Sequence, residues 1–340
     1  MMDRMFGSPL RAAALIVACA TTALWTPLVA QAATTPQQTQ WQQAVDAAVQ
    51  RARPGVLGVA VLDVRTGAQA GANAAQPFPM MSVFKAPVAA AVLARVDAGR
   101  LTLDHPVIIT RSEVLSGSAV PSIGAKFHGE RMSFTVERLL QAAVSESDNT
   151  AVDALIKLLG GPQEVTAFLR AHGIDGMRVD QDEAGVSRVF QALEPGQSLP
   201  ANESAEAEVA RYRRGYQAFL ADPRNRTTPQ AAVDFLRKLQ ARELLSDAST
   251  GHLLALMRAQ VIPNRLRAGA PAGVVVADKT GTSGSFEKRT AAYNDMALLT
   301  WPDGRTVIVA AFLSDSPATP AERDALFADL ARTLAASVQP

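Results

Sequence analysis

Cysteine is almost absent: the chain of 340 residues has one, Cys19. A lone thiol closes no intrachain disulfide and anchors no zinc site by itself. Histidine is scarce as well, with His105, His128, His172 and His252 scattered without ligand spacing. A metal-dependent hydrolase is therefore not expected, and no cofactor is expected either. Neither sign of charge is in excess, with 33 Lys and Arg against 32 Asp and Glu. Nothing in that balance attracts a nucleic acid or an anionic membrane. Beyond the N-terminal segment no apolar run is long enough to span a bilayer. Stable membrane association is not expected.

What is present is apolar: 48% hydrophobic and only 19% charged residues, enough for one large core or two intimate ones. The first 32 residues read as a secretory signal. Arg4 and Arg11 supply positive charge, Ala12 to Leu28 is largely apolar, and Ala30-Gln31-Ala32 fits a cleavage site. Cleavage near Ala33 removes Arg4, Arg11, Asp3 and Cys19, leaving a chain without net charge or thiol, placed in the periplasm or outside the cell. Ile16-Val17-Ala18-Cys19 competes as a lipid-attachment site, but the apolar run continues past Cys19. Residues 33–40 form a polar leader.

Helical spacing runs from Trp41 to Arg51, and Gly55 to Val64 reads as a strand ending at the turn Arg65-Thr66-Gly67. An Ala- and Val-rich run from Ser82 to Ala98 stops at Gly99, as a buried helix should. Further helices are expected over 135–144, 150–159, 163–172, 229–240 and 246–260. The period then changes. Residues 273–278, 290–300 and 305–314 are β-rich, Pro302-Asp303-Gly304 makes a hairpin turn, and 320–336 close the chain as a helix. The fold class is α/β of the α+β type: an antiparallel sheet formed by both chain ends (about 41–78 and 262–340), flanked by helices, with an all-helical lobe (about 79–261) inserted. Leu193 to Val209, rich in Glu, Ala, Ser and Pro, reads as the exposed part of a long loop.

Ser82-Val83-Phe84-Lys85 places a hydroxyl and an amine one helical turn apart, on one face. A serine hydroxyl is a poor nucleophile unless a base stands within reach, and Lys85 is placed to be that base or to relay protons. Ser285-Phe286-Glu287-Lys288 fits the same pattern but lies in a polar turn that holds no helix. Ser147-Asp148-Asn149 and Lys279-Thr280-Gly281 follow in order. Alone, each reads as a helix cap or a strand end; together with Ser82 they point to acyl transfer in a cleft between the lobes.

These three elements are the motif set of class A β-lactamases and penicillin-binding proteins, and the chain from Trp41 onward resembles a class A serine β-lactamase. Phe78-Pro79-Met80-Met81, Val96-Asp97-Ala98-Gly99, Gly160-Gly161-Pro162 with Thr166-Ala167-Phe168-Leu169, and Thr227-Thr228-Pro229 are similar to recurring family segments. The resemblance implies the β-lactamase/penicillin-binding transpeptidase-like fold, a monomer and small-molecule β-lactam substrates. It implies that Ser82 attacks the lactam carbonyl while the N–H groups of Ser82 and Thr282 hold the oxyanion. Lys85 and Ser147 are implied to shuttle protons, Asn149 to bind the side-chain amide, and Lys279, Thr280, Gly281, Thr282 and Ser283 to hold the rest of the substrate. Glu183, in register after Arg178-Val179-Asp180, takes the place of the glutamate that activates the deacylating water. Which of Lys85 and Glu183 primes the serine stays open. Glu194, before Pro195, is the rival base.

Departures from the family pattern are specific. Ala184 follows the glutamate where proline is common, and a cis bond there costs about 3 to 4 kcal/mol, so either that bond is kept or the loop is laid differently. Ser187 replaces an asparagine that helps hold the water. Gln181 and Asn225 replace a salt bridge at the neck of the Ω-type loop (about 178–228), which carries a large insertion. The strand 290–300 lacks a carboxylate-binding arginine; Arg265 is the first substitute and Arg289 the second. Thr282-Ser283-Gly284 resembles extended-spectrum members, and near Pro121-Ser122 no aromatic defines the cleft edge. A penicillin-binding DD-peptidase or sensor that stays acylated is the alternative function. A serine esterase usually lacks the S-D-N element, which argues against it here.

Overall fold

A computed structural model describes residues 35–338; the expected signal segment, with Cys19 and the cleavage site, lies outside them. Helix α1 (Pro36–Arg51) begins earlier than its apolar spacing suggests. Thr35 and Gln38 form a reciprocal cap and Pro36 occupies the first turn, so the expected leader is largely helical. Strands β1 (Val56–Asp63) and β2 (Gln69–Ala72) follow, then the short β3 (Phe78–Pro79). A 3₁₀ turn over Met81–Phe84 runs into α2 (Lys85–Asp97).

The inserted lobe is mostly but not wholly helical. It holds a two-stranded ribbon, β4 (Pro106–Thr110) with β5 (Arg131–Thr135), then α3 (Val136–Val144), α4 (Asn149–Leu159) and α5 (Pro162–Ala171). The expected long loop contains two helices, α6 (Glu183–Phe190) and α7 (Ala205–Ala221), and ends at β6 (Arg226–Thr227), which pairs with β3. Only 193–204 of the low-complexity stretch is irregular. Ser204 caps α7 through Ala207 N, and Glu and Ala there serve helix formation. Then come α8 (Pro229–Gln240), α9 (Asp247–Arg258) and α10 (Leu266–Gly269).

The last third supplies β7 (Val275–Thr282), β8 (Ser285–Phe286), β9 (Arg289–Thr300), β10 (Thr306–Ser316) and α11 (Pro320–Ala336). The main sheet runs β2-β1-β10-β9-β7, all antiparallel, with β8 folded onto β9. Its centre is buried on both faces, so β10 reads as an unbroken apolar run. Val307, Val309 and Ala311 face Trp41 and Phe327 of α1 and α11; Ile308, Ala310 and Phe312 face Phe78 and the helical lobe. Helix α2 is apolar nearly all round because it passes through that second core. This places its N-terminal end beside β7, the free edge of the sheet.

Candidate active site

Three devices bring Ser82 to the sheet edge. Asn294 of β9 donates to Pro79 O at 2.7 Å and Met80 O at 3.0 Å. Met81 takes a left-handed φ of 47°. Gly281 of β7 lies so close to the turn that a Cβ there would stand 2.5 Å from Met80 O, which is the role a glycine serves at a close approach. Along β7, Ser283 N–H points to Ala292 O at 2.9 Å, so the alternation of a strand turns the Thr282 N–H off the free edge, on Ser82's side.

Ser82 Oγ donates to Glu183 Oε1 at 3.4 Å, and Lys85 Nζ reaches the same oxygen at 3.1 Å. Lys85 is fully buried and also donates to Ser147 O at 2.9 Å and Asn149 Oδ1 at 2.6 Å. Ser147 sits at a left-handed φ of 57°, a conformation that costs energy in a non-glycine residue and is found at functional sites. The twist lets it serve two lysines: its carbonyl faces Lys85 and its Oγ accepts from Lys279 Nζ at 3.1 Å. Burial, then the neighbouring charge of Lys85, pulls Lys279 down to about 7.

Asp148 caps α4 through Ala151 N at 2.9 Å and also accepts from Ile123 N at 3.0 Å. It is a structural member of its tripeptide.

Glu183 opens α6, where Asp182 is the cap, accepting from Gly185 N at 2.8 Å. Among the described residues the one cis peptide is Arg53-Pro54, so the Glu183-Ala184 bond is trans and the loop is laid differently. Asp153, which the sequence reading passed over, holds it: its two oxygens accept Glu183 N at 2.7 Å and Ala184 N at 3.0 Å. Burial, then the charge of Asp182, pushes the Asp153 carboxyl up to about 8. The only sequence signal was its helical spacing from Asn149.

At the loop's neck the expected side-chain pair of Gln181 and Asn225 does not form. Instead Asn225, buried and at φ 49°, accepts Asp180 N and Gln181 N at 2.7 and 2.9 Å and donates to Gln181 O at 2.9 Å. Backbone partners replace the salt bridge because an amide both donates and accepts. Gln181 itself turns toward Asp222.

The cleft encloses about 420 Å³. Asn149, Glu183, Ser187 and Thr282 line it. Lys279, Thr280 and Gly281 lie beneath that surface. Ser283 is turned into the strand: its hydroxyl donates to Gly284 O and accepts from Ala292 N, both at 2.8 Å, which corrects the expected substrate contact. Arg265 is also one layer back. Its guanidinium stacks 3.8 Å from the Tyr293 ring centroid, donates to Gly281 O at 3.1 Å and Asn294 O at 2.6 Å, and reaches the cleft only through the Thr282 hydroxyl. Arg289 is bound to Asp315 at 2.7 Å. Glu194, the rival base, is exposed and does not line the cleft. The edge left undefined near Pro121-Ser122 is formed by Leu115, Ser116 and Gly117.

The family model described as the Beta-lactamase enzyme family matches residues 40–338. The chain is 35% identical to the extended-spectrum β-lactamase PER-1 of Pseudomonas aeruginosa over 262 residues, 77% of this chain and 75% of that protein. Among solved structures it is similar to a β-lactamase from Chitinophaga pinensis at a TM-score of 0.73, with 31% identity over 88% of this chain and 99% of that one. An ancestral class A β-lactamase superposes at 0.69, with 34% identity over 86% and 98%. An S-x-x-K turn, an S-D-N loop and a K-T-G edge strand come into contact in a fold shared along most of its length with those enzymes, and on that ground the chain belongs to the class A serine β-lactamases.

Proposed function

We propose that the protein opens the lactam ring of penicillins and cephalosporins through an ester on Ser82, and that Glu183 prepares the water that removes it. The observation that carries this reading is the meeting of Ser82 Oγ and Lys85 Nζ on one oxygen of Glu183. As Ser82 Oγ bonds to the carbonyl carbon, its proton passes to a base. Three acceptors surround Lys85 Nζ, matching the three donors of an ammonium, which has no lone pair to offer. That arrangement favours Glu183 as the first acceptor. The lactam C–N bond then breaks: the ring nitrogen takes its proton from the Ser147 hydroxyl, and the proton that Glu183 accepted replaces it by way of Lys85, so Glu183 is a carboxylate again before water arrives. The N–H groups of Ser82 and Thr282 carry the oxyanion; one such donor is worth about 3 to 4 kcal/mol. The charge of Lys279, buried beneath the cleft surface, attracts the substrate carboxylate, and Asn149 takes the side-chain amide.

Water adds to the ester with Glu183 taking its proton and Ser187 near at hand; the ester C–O bond breaks and Ser82 leaves as the alcohol with the proton that Glu183 returns. The kinship with PER-1 and the Thr282-Ser283-Gly284 element support activity on extended-spectrum cephalosporins, with Ser283 acting by shaping the strand. Every group needed comes from one chain, in keeping with a monomer, and the N-terminal pattern supports export to the periplasm. Mixing the purified protein with a chromogenic cephalosporin tests the reading: continued hydrolysis is expected, and a single burst per molecule favours the penicillin-binding alternative.

A further inference from the structure

We propose that α7 is a substrate-recognition element whose Tyr212 and Tyr216, with Phe190 and Phe286, receive a planar aromatic or heteroaromatic ring on the acyl side chain of the β-lactam. The proposal rests on the β-lactam reading of the cleft and extends it.

The four rings line the same cavity as Asn149, Glu183 and Thr282. Beyond the amide held at Asn149, an acyl group meets one of two walls. One is Leu115, Ser116 and Gly117, which offers no ring; the other is aromatic. Tyr212 and Tyr216 lie four apart on α7 and so share a face. Tyr216 is pinned: its hydroxyl donates to Asp315 Oδ1 at 2.7 Å and its ring lies 6.1 Å from that of Phe286. Phe190 stacks on Phe219 at 4.1 Å.

The helix is held firmly against the base-bearing segment. A Cβ on Gly215 would stand 1.9 Å from Phe190 O, so glycine is what allows α7 to close on the end of α6. Arg211 binds Glu203 at 3.0 Å and Gln191 O at 3.1 Å while lying 4.6 Å from the Tyr212 ring centroid. Tyr212 is nonetheless 40% exposed. A large ring fixed at the mouth of a reaction cleft, with solvent on it, is poised for a flat partner, because offset and edge-to-face ring pairs add attraction beyond apolar burial.

The test uses two cephalosporins identical except for the acyl group, acetyl in one and phenylacetyl in the other. In Tyr212→Ala the ratio of kcat/KM, phenylacetyl over acetyl, falls about fivefold, the size of one aromatic contact. Tyr212→Phe keeps the wild-type ratio. A ratio unchanged in Tyr212→Ala, even with both activities lowered, overturns the proposal, as does an equal fall in Tyr212→Phe, which would assign the effect to the hydroxyl. If the wild type turns over neither compound, the deacylation reading fails separately. The same ratio, taken from Ser82 acylation rates by mass spectrometry, then decides the role of Tyr212.

Discussion

The two carboxyl oxygens of Asp153 accept the backbone N–H groups of Glu183 and Ala184, which fixes the start of α6 and with it the Glu183 side chain. With its carboxyl raised to about 8 by burial and then by Asp182, native Asp153 keeps a proton that the unfolded chain loses above about pH 4. The native state therefore binds more protons between those limits, and stability from this group falls as pH rises through them. Asp153→Asn cannot ionise and keeps one acceptor oxygen. Melting temperatures at pH 5 and pH 8 should show the wild type losing ground to the variant at the higher value; parallel curves would contradict this.

Glu183→Gln removes the group assigned to the water but keeps its size. Turnover is expected to fall about 10²- to 10⁴-fold, the usual range for a lost general base, while an acyl adduct accumulates on Ser82. Intact-protein mass spectrometry after brief exposure to a penicillin reads the adduct. Unchanged turnover excludes Glu183 as the base.

Lys279, lowered to about 7 first by burial and then by Lys85, loses its charge as pH rises past neutrality. Attraction for a substrate carboxylate weakens with it, so KM is expected to climb between pH 7 and 9 while remaining flat below. Lys279→Arg stays charged throughout and should flatten the KM profile, whatever its effect on kcat.

Asn225 satisfies three backbone groups at the loop neck, and its left-handed φ suits asparagine. Asn225→Ala leaves buried groups without partners, each costing about 1 to 3 kcal/mol. Asn225→Asp cannot donate to Gln181 O and should lose part of the same stability. Thermal melts of both variants, with the alanine the lower, check the assignment.

The motif residues were legible because Ser82, Lys85, Ser147, Asn149 and Lys279 sit in short, ordered signatures whose chemistry demands their spacing. The central strands and long helices were legible from their periods. Asp153 was not, because a single aspartate on a helix looks like a solvated residue until a backbone is seen docking on it. Helix α7 was hidden by composition: glutamate and alanine before Val209 suggest disorder, and the apolar face of Tyr216 and Phe219 that anchors it lies further on. Strands β2, β4 and β5 were missed because they are short and mostly half-exposed, so alternation is faint in them. Ser283 and Arg265 were placed by family register, which fixes a residue's position along a strand or loop but not the direction its side chain takes.

Strand β1 pairs along its whole length with β10, Val56 opposite Ser314 and Asp63 opposite Val307. The middle of the sheet thus joins an early strand of the described residues to a late one, a closure that carries the entropic cost of a long loop. No N-terminal fragment can hold its own centre. A chain that stops short of β9 and β10 holds Ser82, Lys85 and Glu183 but lacks the strands that set them in place, so the site can assemble only after β10 has been made.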